Sequence, residues 1–99
     1  MVHRLHSGAR WSVLKIQYTD NGDAVLTLSG RLQADNLGEL AAVIDAKRHG
    51  RALVLDLKDL VRADEDAVRF LCSCERDGNV LRNCPPYIRT WMGRVRNRE

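Results

Sequence analysis

Asp56, Asp59, Asp64, Glu65 and Asp66 crowd one short stretch of the chain. Carboxylates at that density invite two kinds of chemistry. They could hold a Mg²⁺ ion, or two of them could divide acid and base roles. The plainer physical reading is that Asp64-Glu65-Asp66 opens a helix, where the exposed N–H groups favour negative charge. The thiols Cys72, Cys74 and Cys84 raise the question of zinc or a disulfide. Cys72 and Cys74 fall in a helical stretch and, at about 100° per residue, point roughly 200° apart. They can neither share one ion nor bond to each other. Zinc would need four ligands, and the histidines are His3 and His6 near the start and His49 at a helix end. His3 and His6 could hold a metal only weakly, as parts of a frayed tail. No Ser/His/Asp or Cys/His set stands at workable positions, and neither phosphate-cradling glycine motif occurs. These readings point away from an enzyme and from any metal or cofactor.

The acids and thiols need a scaffold, and composition says which kind. The chain has 99 residues, 44% of them hydrophobic and 29% charged, with two prolines. That is one ordinary globular domain, not a disordered or coiled-coil chain. Its longest apolar runs, Leu40–Ile44 and Ala52–Leu55, fall far short of the roughly 20 residues that span a bilayer. Met1 to His6 lack the apolar core of a secretory signal. A cytoplasmic protein without membrane insertion is expected. The net charge of +3 sits at the ends. Residues 11–86 carry ten Lys/Arg against twelve Asp/Glu, whereas Arg89, Arg94, Arg96 and Arg98 make the C-terminus basic. Those arginines could bind phosphates, but no aromatic platform or nucleic-acid fold accompanies them, and a solvated helix face is the expected role. No nucleic-acid partner is expected.

Hydrophobic patterning orders the elements. Residues 1–10 read as a flexible leader, and residues 11–97 as the domain. Trp11 to Tyr18 is aromatic and β-branched enough for a strand. Asn21-Gly22 signals a hairpin into Ala24–Leu28, which reads as a strand buried on both faces and ending at a Ser29-Gly30 bend or bulge. Asp35 or Asn36 is placed to cap a helix carrying Leu37, Leu40, Ala41, Val43 and Ile44, and His49-Gly50 stops it. Arg51–Leu57 reads as a central parallel strand, residues 58–64 as a loop, and Asp64-Glu65-Asp66 as the start of a second helix with Ala67, Phe70, Leu71 and Cys74 inward. Asn79–Asn83 forms a short last strand. Pro85-Pro86 then opens a third helix with the stripe Ile88, Trp91, Met92 and Val95. The order is β-β-α-β-α-β-α, an α/β single domain with a mixed sheet flanked by helices.

Leu53 to Leu71, a buried strand reaching Asp56 followed by Asp64-Glu65-Asp66-Ala67-Val68 at a helix start, resembles the signature of STAS domains, the anti-sigma-factor antagonist family. Leu26-Thr27-Leu28-Ser29-Gly30-Arg31-Leu32, with Asp35 soon after, resembles the family's second strand. The element order matches over residues 11–97. The family's signature runs Asp-Ser-Ser/Thr-Gly-Leu, and in phospho-regulated members a kinase phosphorylates a hydroxyl there. Aligned on Asp64, those hydroxyl positions fall on Glu65 and Asp66, and the glycine on Ala67. Two acids at a helix start carry about the charge of a phosphoserine.

The resemblance implies a stand-alone, non-enzymatic protein-interaction module of bacterial regulation, with a degenerate phosphorylation motif and an anti-sigma factor or related regulator as partner. Arg62, Asp64, Glu65, Asp66 and Arg69 are the expected partner-binding residues, on the loop and the first turn of the second helix. Two alternatives stand beside it. One is a STAS subunit of a bacterial lipid-transport complex; the other is nucleic-acid binding through the C-terminal arginines. Pairing of the first strand with a second copy to form a homodimer is left open.

Overall fold

The computed structural model describes residues 14–98. The leader expected at residues 1–10 and the start of the first strand lie outside the described residues. Four strands and three helices follow in the expected order: β1 (Leu14–Asp20), β2 (Ala24–Leu32), α1 (Leu37–Arg48), β3 (Val54–Ala63), α2 (Glu65–Arg76), β4 (Val80–Arg82) and α3 (Pro86–Arg98), with a 3-10 turn at Ala34–Asn36. The sheet order is β1-β2-β3-β4. β1 and β2 are an antiparallel hairpin whose turn bends at Gly22 (φ +98°). β2, β3 and β4 are parallel.

Both parallel crossovers step the same way across the sheet, so right-handed connections lay α1 and α2 on one face. Burial follows. Leu14 and Ile16 on β1, Ala24, Leu26 and Leu28 on β2, and Leu55 and Leu57 on β3 are buried against the helices. The opposite side chains, among them Val25 and Thr27 on β2 and Val54 and Asp56 on β3, are half-buried. The expectation of a second strand buried on both faces is therefore overturned. Among the described residues the helices roof one face, and apolar residues on the other, such as Val25, gain β-propensity and cross-strand contact, not full burial.

α2 is the middle helix of the layer. Its Cys72 thiol donates to the Met92 carbonyl of α3 at 3.7 Å, while Cys74 lines a small cavity with Ala41 and Ile44 of α1. Two thiols on opposite flanks are both buried because α2 has a helix on each side. Burial pushes the Cys74 thiol up to about 12, which keeps it protonated and inert. On α3, Ile88, Met92 and Val95 are buried and Trp91 is half-buried at the margin.

Asn36 stands at the N-cap of α1 and His49-Gly50 ends the helix, as expected, but the capping bond is absent. Neither Asp35 nor Asn36 caps α1 through its side chain. Asn36 is instead buried, its Oδ1 accepting from the Gln33 N–H at 2.9 Å and its Nδ2 donating to the Arg31 carbonyl at 3.0 Å. It locks the exit of β2. The end of α1 uses His49 as well as Gly50 in the left-handed region, at φ +46° and +78°.

Asn79 joins the layers at the other end of the sheet. It is 4% exposed; its Oδ1 accepts from the Leu53 N–H and its Nδ2 donates to the Cys74 carbonyl, each at 3.1 Å. Asn79→Ala would strand the buried Leu53 N–H, at a cost of about 1–3 kcal/mol. Urea melts of the variant should show a lower midpoint with an unchanged slope.

Candidate functional site

The stretch expected to be a loop, residues 58–64, is strand almost to its end. β3 continues to Ala63, and α2 starts at Glu65 after the single residue Asp64. Leu60 and Ala63 are buried opposite Gly30 and Leu32 of β2. The charged residues Lys58, Asp59 and Arg62 around them read as loop, but β3 carries them on its exposed positions through two register irregularities. One lies where Thr27↔Asp56 gives way to Ser29↔Asp59, and the other where Gly30↔Leu60 gives way to Arg31↔Arg62. Each inserts an extra residue in β3 and turns side chains outward. The second leaves Val61 unmatched and 72% exposed. The Ser29-Gly30 signal thus does mark a bulge region, but β2 runs through it, with Gly30 at φ +96°.

β4 is short and pairs only with Val54, Leu55 and Asp56. Beyond it, residues 57–63 of β3 have a strand on one side alone. Tyr87, near the start of α3, covers part of that free edge. Its hydroxyl donates to the Val61 carbonyl at 3.0 Å, while the residue stays 48% exposed.

Asp64 fixes the corner between β3 and α2. One carboxylate oxygen accepts from the Ala67 N–H at 2.9 Å and caps α2; the other accepts from the Ala34 N–H at 3.0 Å. Its own N–H donates to the Leu32 carbonyl at 3.2 Å. The cap of α2 is therefore Asp64. Of the residues expected to bind a partner, Asp64 is spent on architecture. Glu65 and Arg69 pair with each other across one helical turn at 2.9 Å. Asp66 and Arg62 are exposed, and neither makes a hydrogen bond or ion pair among the described residues. The start of α2 therefore brings Glu65 and Arg69 together, with Asp66 between them in sequence. Sequence reasoning missed Val61 and Tyr87, since a bulge in one strand and the contact it makes with a distant helix leave no local signal.

The basic C-terminus is arranged around an acid. Arg89 donates to both carboxylate oxygens of Glu75 at 3.1 Å, and Arg96 also bonds Glu75. Cys72, Glu75, Arg76 and Arg96 line a cleft of about 450 Å³ between α2 and α3. Among the described residues, no three His, Cys, Asp or Glu side chains gather as metal ligands, and no helix is long and apolar enough to cross a membrane. Set against protein-family models and curated proteins, the chain matches none.

These contacts separate two neighbouring acids. Asp64→Ala removes acceptors from two N–H groups and should cost about 2 kcal/mol. Asp64→Asn should cost nearly as much, because its amide presents a donor to one of the two N–H groups. Asp66→Ala should stay within about 0.5 kcal/mol of the wild type. Parallel denaturant melts of the three variants check the ordering.

Proposed function

We propose that the protein is a non-enzymatic interaction module of the STAS type that docks a regulatory protein on the corner between β3 and α2. The observation that carries this reading is a corner fixed by Asp64 and bearing exposed side chains, of which Tyr87 alone is held, by its bond to the Val61 carbonyl. Asp64 holds the backbone, while Val61, Tyr87, Arg62 and Asp66 face outward. An exposed valine and tyrosine beside an arginine have the composition of interface anchors, and fixing them in advance lowers the cost of binding. The resemblance of Leu53 to Leu71 to the STAS signature supports the same corner and gives an anti-sigma factor or related regulator as the partner. A transporter subunit is the partner under the lipid-transport alternative.

Glu65 and Asp66 occupy the positions of the family's hydroxyls. Glu65 is held by Arg69, so Asp66 presents the freer charge of the two. In this reading the protein stands permanently in the charge state that phosphorylation gives its relatives, and a kinase does not switch it.

A photo-crosslinking residue placed at Asp66 or Arg69, and separately at Lys15 on β1, tests the corner in extract of the native host. Capture of a regulatory protein from the α2 positions alone, competed by wild-type chain, is the expected result. Capture of a transporter subunit there would replace the regulatory reading with the transport one. Equal capture from Lys15, or none from α2, would contradict docking at this corner. Glu65→Ser with Asp66→Ser should strengthen binding of an anti-sigma kinase by about tenfold if the acids imitate phosphate; no change would remove the mimicry.

A further inference from the structure

Arg31 and Arg62 are register partners on the adjacent parallel strands β2 and β3. The next pair along, Leu32 and Ala63, is buried in the core. Since side chains alternate along a strand, Arg31 and Arg62 both point to the face the helices leave open. Both are exposed, and neither guanidinium has a hydrogen bond or ion pair among the described residues. Like charges side by side on neighbouring strands destabilise a sheet. Nothing among the described residues recovers that cost, and the two forks stand ready to share one carboxylate.

The surroundings narrow the choice of anion. Val61, the residue before Arg62, is the bulged and 72% exposed one, and Tyr87 is bonded to its carbonyl. Asp59, register partner of Ser29, precedes the arginine pair along the same face. A polyphosphate chain crossing the pair would meet Asp59 and then Asp66 at the start of α2. A polypeptide segment carrying one acid next to an apolar side chain meets no such repulsion, and its apolar residue has Val61 and Tyr87 to cover. We infer that Arg31 and Arg62 form an anion clamp that receives a Glu or Asp of the partner protein, with an adjacent apolar side chain of the partner seated on Val61 and Tyr87. This rests on the protein-docking reading above and gives that partner's segment its chemistry.

The test is a ¹H–¹⁵N NMR titration of the full chain with a capped, otherwise neutral peptide carrying one Leu-Glu pair, run beside inorganic phosphate and oligothymidylate. The peptide should move the amides of Arg31, Val61, Arg62 and Tyr87. Arg31→Gln and Arg62→Gln should each weaken it about tenfold while leaving the melting temperature unchanged or higher, which a structural pair would not do. Peptide shifts centred on Arg89 to Arg96, or affinities unaltered in both variants, would overturn the clamp. So would tighter oligothymidylate binding at the same residues, which marks a nucleic-acid site, or phosphate matching the peptide, which marks a small-anion site. If crosslinking at Asp66 and Arg69 succeeds while the arginine variants bind normally, only the clamp falls. If crosslinking fails while the arginine effect holds, the clamp survives and the regulatory reading falls.

Discussion

Asp64 ties together the end of β2, the 3-10 turn before α1 and the first turn of α2. It accepts from Ala34 and Ala67, while its backbone N–H reaches Leu32. An acid suits this place because two N–H groups converge on it, and each is worth more to a charged acceptor than to a neutral one. Without the carboxylate, β3 would pass into α2 with an uncapped helix start and the Ala34 N–H would lose its acceptor. Asn36 works beside it, closing the turn from Gln33 back to the Arg31 carbonyl. The two side chains settle where α1 and α2 begin, and so where the sheet's open end lies.

A sheet whose helices, among the described residues, all lie on one side sets the rest. The helix layer takes the leucines of alternate strand positions, and α2 in its middle buries Cys72 towards α3 and Cys74 towards α1. The face left open carries Arg31, Arg62 and the half-buried valines. Shortness of β4 leaves the outer half of β3 free at its edge, where the bulge at Val61 twists the strand and Tyr87 bonds the loose carbonyl. Bulges and a covering side chain are ways to blunt such an edge, and here they also set an apolar surface beside two unpaired cations.

Much of this was legible in the residues. The hairpin at Asn21-Gly22, the stripes of α1 and α3 and the glycine after α1 report local physics, and the structure agrees with each. Leu60 was not legible as core, because Lys58-Asp59 and Val61-Arg62 around it read as loop, and only the pairing with β2 reveals that two bulges turn those charges outward. Which acid of Asp64-Glu65-Asp66 caps α2 depended on where the strand stopped, and it stops at Ala63, directly before Asp64. Arg31 and Arg62 stand far apart in sequence, so their adjacency is a property of register alone. Trp91 read as core and sits at its margin, since a stripe gives a helix's inward direction but not how far its neighbours extend.

Native-state hydrogen exchange of the Ala34 and Ala67 amides tests most directly whether one carboxylate holds the corner. Both should be protected in the wild type. In Asp64→Ala both should open together, while the Leu53 amide, bonded to Asn79 at the other end of the sheet, keeps its protection. If Ala67 alone opens and Ala34 stays closed, the side chain is an ordinary helix cap, and the account of a corner built on Asp64 is wrong.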